Sequence, residues 1–121
     1  MNQILSFAKR NEPIMNAECD PIFAKVDQLI ALLGKSKLLH ILLVLHVQKG
    51  PLNFSELKRR VDSSSTTVSR RLAELEENNL VERKVNSSKP YTVNYTLTKK
   101  ASDLAPSIQS MYDWCEINET L

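Results

Sequence analysis

A run of hydroxyl side chains leads into two adjacent arginines, and together these residues offer the densest set of hydrogen-bonding groups in the sequence. The hydroxyl residues 63–67 run directly into the segment VSRRLAEL. Serine and threonine are poor helix formers because their side chains compete for nearby backbone groups. Val68, Leu72 and Leu75 are nevertheless spaced as the buried stripe of a helix. The outward face then starts with hydroxyls and Arg70, and it lacks a large apolar group there.

Such a face is slim enough to enter the major groove of DNA, which is about 12 Å wide. Hydroxyls bond to base edges or phosphates, a helix N-terminus favours phosphate, and arginine can read guanine through two parallel hydrogen bonds. We therefore predict a recognition helix over about residues 64–78 that faces bases through Thr66, Ser69 and Arg70. The alternative is that residues 63–65 only form a turn and a cap, with a solvated face behind them.

Charge is unevenly distributed along the 121 residues, which are enough for one domain with one modest core. Residues 1–54 carry a net charge of +2, residues 55–100 carry +4 and residues 101–121 carry −4. A basic middle favours a polyanionic partner. The longest apolar run, residues 38–47, is too short to span a membrane, and no signal peptide is recognisable. Two cysteines make no disulfide framework, so we predict a cytoplasmic protein.

The elements that must position these residues read as helix, helix, strand, helix, helix, strand, loop, strand, helix. Four residues are predicted to cap helices: Asp20, Ser36, Ser55 and Thr98. The second helix, residues 37–48, is apolar nearly all round and is expected to be central and buried. Two strands joined by the polar loop NSSKP follow the recognition helix. This order predicts an α+β, mostly helical, winged helix-turn-helix domain over residues 20–121, after an N-terminal extension, residues 1–19.

A second set of residues is predicted to contact the DNA backbone from the two helices and from a wing over residues 83–91. The predicted backbone contacts are Ser55, Ser64, Thr67, Arg71, Lys84 and Lys89. The last helix, residues 98–118, carries apolar residues spaced by three and four, a heptad-like seam typical of helix pairing. We predict that this seam forms a homodimer interface through Leu104, Ile108, Met111 and Cys115.

From Gly50 onward the chain resembles the HxlR family of winged helix-turn-helix transcription regulators. The matching motifs are GPLNFSEL, VSRRLAELEENNLVER and VNYTLT. The resemblance implies a dimeric DNA-binding regulator whose terminal helices, N- and C-terminal, form the dimer. Arg71 and Leu72 match the family's R-L pair in the recognition helix, and Ser64 matches its capping serine. The chain departs from the family at Thr66, where a basic residue is usual.

No constellation in the sequence suggests catalysis, a cofactor or a metal site. His40 and His46 are six residues apart and do not share a helix face as zinc ligands four apart would. We therefore predict a regulator that is not an enzyme and that has no cofactor. Two other functions stay open. One is a winged helix that serves as a protein-interaction module.

The other open function is a regulator that responds to a small molecule or an oxidant through Cys19. Some members of the HxlR family sense oxidants or electrophiles through a cysteine just before the first core helix. Here Cys19 precedes Asp20 and Pro21. The neighbouring carboxylate works against a reactive thiolate, whereas a helix N-terminus favours one. Our interpretation is an ordinary cysteine.

Overall fold

The computed structural model describes residues 20–121, so the predicted extension and Cys19 lie outside the described residues. The chain divides at Leu33 into two units. Helix α1, Pro21–Leu33, forms nearly all of the described part of the first unit. Its start confirms the predicted cap, since the Ile22 amide donates to Asp20 Oδ1 at 2.8 Å.

The second unit contains four helices and a small sheet. Its elements are α2 Leu38–Gln48, β1 Leu52–Asn53, α3 Phe54–Val61, α4 Ser65–Glu77, β2 Val81–Asn86, β3 Thr92–Leu97 and α5 Lys99–Ile117. The three strands are antiparallel in the order β1-β3-β2. The β2–β3 hairpin pairs Val81 with Leu97 at its base and Asn86 with Thr92 near its tip. This architecture is a winged helix-turn-helix, as the sequence predicted.

The core of the second unit is built by side chains from every element, all of them aliphatic except Tyr95 of β3, and α2 lies at its centre. Four α2 residues are buried: Leu38, Ile41, Leu42 and Leu45. This helix packs against α3, α5 and β3, which confirms the predicted central helix. Among residues 20–121 no polar or charged side chain is buried. Burial of apolar area is therefore the main force that holds the two helices of the helix-turn-helix in place.

Two of the four predicted caps are wrong. The N-cap of α2 is Lys37, in the left-handed region at φ 70°, and it makes no side-chain cap bond. Helix α3 is capped by Asn53 rather than Ser55. The Glu56 amide donates to Asn53 Oδ1 at 2.8 Å, and the Asn53 amide donates to Glu56 Oε1 at 3.1 Å. This reciprocal capping box satisfies two backbone donors, so the helix starts before Ser55.

Helix α5 begins at its predicted cap, because the Ala101 amide donates to Thr98 Oγ1 at 3.1 Å. The predicted dimer seam on this helix is only partly available to a partner. Ile108 is 2% exposed in the core of the chain itself, so its assignment to the dimer interface is wrong. Leu104 is half-buried, whereas Met111 and Cys115 are exposed. The seam therefore packs inward along its first half and is free along its second.

Among residues 20–121, no single helix is both long enough and apolar enough to span a membrane. Helices α1 and α2 meet the two criteria only when they are counted together, across the break between them.

Candidate nucleic-acid interface

The start of α4 explains why hydroxyl residues crowd the front of this helix. Ser64 is the N-cap, in extended conformation, and its Oγ accepts from the Thr67 amide at 3.2 Å. The same hydroxyl lies 3.1 Å from Thr67 Oγ1, to which it donates. Ser65 and Thr66 fill the first turn and are exposed. The helix thus opens with satisfied cap groups and with free hydroxyls on its outer side.

The end of α4 is fixed by a left-handed residue. Asn79 has φ 58°, its amide donates to the Glu76 carbonyl at 3.0 Å, and the Leu80 amide donates to the Leu75 carbonyl at 2.9 Å. This pair of bonds is the Schellman arrangement, which satisfies carbonyls that a helix end leaves free. The predicted stripe of Val68, Leu72 and Leu75 is buried, which confirms which face of α4 points inward.

The outward face of α4 carries the three predicted base contacts. Thr66, Ser69 and Arg70 are all exposed. They line one open depression together with Ser65, Ala73 and Phe54. The N-terminal half of α4, which carries Thr66 and Arg70, contains no acidic residue, because the first acid of this helix is Glu74. The structure therefore brings the three residues onto one accessible surface.

A second polar depression lies beside the turn between α3 and α4. It is lined by Ser55, Lys58, Arg59, Asp62 and Ser63. Lys58 and Arg59 are exposed, and the sequence analysis did not assign them to the interface. The signal that could have found them is the basic run KRR that ends α3. Their position adds two cations beside the front of the recognition helix.

The β2–β3 hairpin presents the predicted wing. Lys84 is exposed on β2, and Lys89 is exposed in the connecting loop. The loop is braced from Asn86, whose Oδ1 accepts from the Ser88 amide at 3.1 Å. Lys84 Nζ is 3.9 Å from Glu82 Oε1, and both side chains are more than half exposed, so water screens the pair strongly.

Arg71 does not share the outward face with its neighbour. Its Nε donates to the Ser36 carbonyl at 2.9 Å, its Nη1 donates to Glu74 Oε1, and its side chain is 13% exposed. Lys35 Nζ completes the cluster at 2.9 Å from Glu74 Oε2. This placement does not fit the predicted phosphate contact. Arg71 instead fixes α4 to the segment before α2, and we call Arg71, Glu74, Lys35 and the Ser36 carbonyl the clasp.

The clasp makes the folded state sensitive to acid. The hydrogen bond from Lys35 and then that from Arg71 lower the pKa of Glu74 below its ordinary value of 4.5. A carboxylate whose pKa is lowered on folding stabilises the protein above its unfolded pKa, and that stability is lost as pH falls through the folded pKa.

We expect Arg71→Ala to lower the free energy of unfolding by about 1–3 kcal/mol at pH 7, because it removes two hydrogen bonds from a charged donor. Glu74→Gln should flatten the loss of stability below about pH 4.5. Urea denaturation between pH 7 and pH 3 measures both effects. Glu77→Gln, on the exposed end of the same helix, is the matched control. Identical pH profiles for the two glutamine variants would contradict the role of the clasp.

These features define a class. A capped helix, a three-residue turn, a second helix with an exposed polar N-terminal half and a β-hairpin form the winged helix-turn-helix of DNA-binding transcriptional regulators. The chain belongs to the HxlR-like helix-turn-helix family, whose model matches residues 34–120. This match covers α2 through α5, and it confirms the family that the sequence motifs indicated.

Relatives of known sequence agree with this assignment. The chain is 34% identical over 105 residues to the HTH-type transcriptional regulator YodB of Bacillus subtilis, covering 80% of this chain and 89% of YodB. It is 35% identical over 111 residues to the HTH-type transcriptional regulator BH0655 of Halalkalibacterium halodurans, covering 91% and 94%. The protein is therefore a helix-turn-helix transcriptional regulator.

Solved structures have the same fold. The reduced form of YodB superposes with a TM-score of 0.68 at 36% identity, covering 76% of this chain and 89% of YodB. The redox regulator HypR in its oxidized form superposes with a TM-score of 0.66 at 28% identity, covering 80% and 99%.

Proposed function

We propose that the protein binds specific duplex-DNA sites as a homodimer, with α4 in the major groove and the wing on the backbone. The observation that carries this proposal is the outward face of α4. Its N-terminal half exposes hydroxyls and Arg70, without an acid and without a large apolar side chain. A winged helix that binds proteins would more often expose apolar residues there. Thr66, Ser69 and Arg70 are the proposed base contacts.

The proposed backbone contacts surround this face. They are Ser55, Ser64, Thr67, Lys84 and Lys89, with Lys58 and Arg59 added from the depression beside the turn. Ser64 and Thr67 stand at the N-terminus of α4, where free amides and the helix dipole favour a phosphate. Lys84 and Lys89 lie on the wing. Arg71 acts on binding only indirectly, by holding α4 in position.

The proposed dimer uses the free half of α5. Met111, Tyr112, Trp114 and Ile117 are between 46% and 79% exposed, and Cys115 is also exposed. Leu104 would stand at the edge of this surface. Clustered apolar exposure of this kind marks interaction sites. A twofold dimer would place its recognition helices about 34 Å apart, one turn of DNA, and so would read a site with approximate dyad symmetry.

The relatives support a location beside the genome. They come from bacteria, in which DNA lies in the cytoplasm. We therefore propose a cytoplasmic protein.

Selection of bound fragments from the source genome tests the proposal. We expect recovery of a small set of fragments, with affinity that falls steeply as salt rises because several cations displace counterions. Lys89→Ala should weaken all fragments similarly and reduce the salt slope by about one. Lys99→Ala removes the same charge from a lysine paired with Asp103 and is the control. Failure to bind any fragment at low salt would replace the proposal with a protein-interaction module.

Redox control of DNA binding is a second candidate function, favoured by the resemblance to the redox regulator HypR and to the reduced form of YodB. Cys19 is the candidate thiol from the sequence, and it lies outside the described residues. Cys115 is exposed on α5 and is the other thiol of the chain.

We expect Cys19→Ser to bind the same fragments with unchanged affinity in reducing buffer, since a serine replaces a thiol that the proposed interface does not use. A gel-shift series with and without diamide then separates the two functions. Release of DNA from the wild type but not from Cys19→Ser would establish Cys19 as a sensor. Cys115→Ser is the matched control, and its insensitivity to diamide would mean that the two thiols pair.

A further inference from the structure

The depression on the outward face of α4 has an apolar floor that the hydroxyls and Arg70 do not explain. It is lined by Phe54, Ser65, Thr66, Ser69, Arg70 and Ala73. Five of these residues belong to α4 and are linked by intervals of three and four, so they lie on one side of the helix. Phe54 comes from the first turn of α3 and is half-buried. The ring of Phe54 and the methyl of Ala73 are the apolar members of the set.

The chemistry of the rim limits what this floor can receive. Hydroxyls and a guanidinium surround it, so an apolar guest must be small and must be carried by a polar, hydrogen-bonding partner. Ala73 has the smallest side chain of the six lining residues and leaves the depression open beside it. In the major groove, thymine is the base that offers an apolar substituent, its 5-methyl group, and alanine, threonine and phenylalanine are the side chains that contact it.

We propose that Phe54 and Ala73 form a pocket for the 5-methyl group of a thymine and so determine specificity at one base pair of each half-site. The inference rests on the proposed function of α4. Ala73 lies three residues beyond Arg70 on the same side of the helix, about 4.5 Å along its axis. We therefore place the thymine beside the base pair that Arg70 reads.

Two parallel selections from a random-sequence duplex library test this pocket, one copied with dTTP and the other with dUTP. Deoxyuridine pairs as thymidine does and lacks only the 5-methyl group. We expect the thymine library to yield sites with a fixed thymine beside the pair read by Arg70, and the uracil library to lose the preference there. Replacing that one thymine by uracil should weaken binding about fourfold, the equivalent of about 0.8 kcal/mol for one buried methyl group.

Variants of the pocket assign the effect to its residues. Ala73→Ser, which replaces the methyl with a polar group at an exposed position, should bind the thymine and uracil sites equally. Ser110→Ala, on the exposed part of α5, should keep the fourfold difference. Specific binding that is indifferent to uracil at every position would overturn the pocket and leave the proposed function intact. Absence of DNA binding in both libraries would instead overturn the proposed function itself.

Discussion

Arg70→Ala is expected to lower affinity for the selected DNA site by about 5- to 150-fold, which corresponds to the 1–3 kcal/mol of a bidentate contact to guanine. The loss should fall mainly on the preferred sequence, so that discrimination between the site and unrelated DNA shrinks. The physical reason is that Arg70 is exposed on the outward face of α4, where it lines one depression with exposed hydroxyls and is free to reach a base edge. Titrations of the specific site and of a scrambled duplex at one salt concentration measure the effect.

Two comparisons make this result specific. Arg70→Lys keeps the charge and loses the planar fork, so it should retain affinity for scrambled DNA and still lose discrimination. Lys89→Ala should weaken both duplexes by a similar factor. If Arg70→Ala behaves like Lys89→Ala, then Arg70 contacts phosphate and the proposed base contact is wrong.

Met111→Asp is expected to abolish dimerisation and to lower affinity for a two-half-site operator by at least about 100-fold. A charge buried between two copies of α5 is costly when it has no partner. Two linked reading heads bind a dyad site with an avidity that exceeds one head by about 10²–10⁴. Met111 is 46% exposed, so folding of the chain should be little affected. Sedimentation velocity and gel shifts on full and half operators measure the two effects.

Ser110→Asp is the matched control, because it adds the same charge one residue away and about 100° around the same exposed stretch of helix. It should stay dimeric. A wild-type protein that sediments as a monomer at micromolar concentration, or an operator without dyad symmetry, would contradict the dimer.

The sequence was informative where a local rule decides the structure. The buried stripe of α4 follows from the helical period, and its start follows from Ser64, whose side chain suits a cap. The wing follows from alternating β-branched residues on either side of a polar loop. The family motifs pointed to the same fold.

The predictions from sequence were wrong where two local rules compete, or where a residue distant in sequence determines what a side chain contacts. Ser55 is a good cap, but Asn53 with Glu56 offers a reciprocal pair and starts α3 earlier. Helical spacing places Ile108 on the seam of α5, yet spacing does not tell whether the other side is a partner or the chain's own core. Arg71 is bonded to the carbonyl of a residue 35 positions away, which adjacency to Arg70 could not reveal.

The junction after α4 ties this helix to α5. The Thr98 amide donates to the Leu80 carbonyl at 3.1 Å, Thr98 Oγ1 donates to the Asn79 carbonyl at 2.7 Å, and Lys100 Nζ donates to the Asn78 carbonyl at 3.1 Å. Three bonds thus join the residues that directly follow α4 to the residues that begin α5. In a dimer held through α5, these bonds would couple the orientation of α4 to that of α5. A small rotation at the dimer contact would pass directly to the spacing of the two recognition helices, so a signal need not touch α4 to switch DNA binding off.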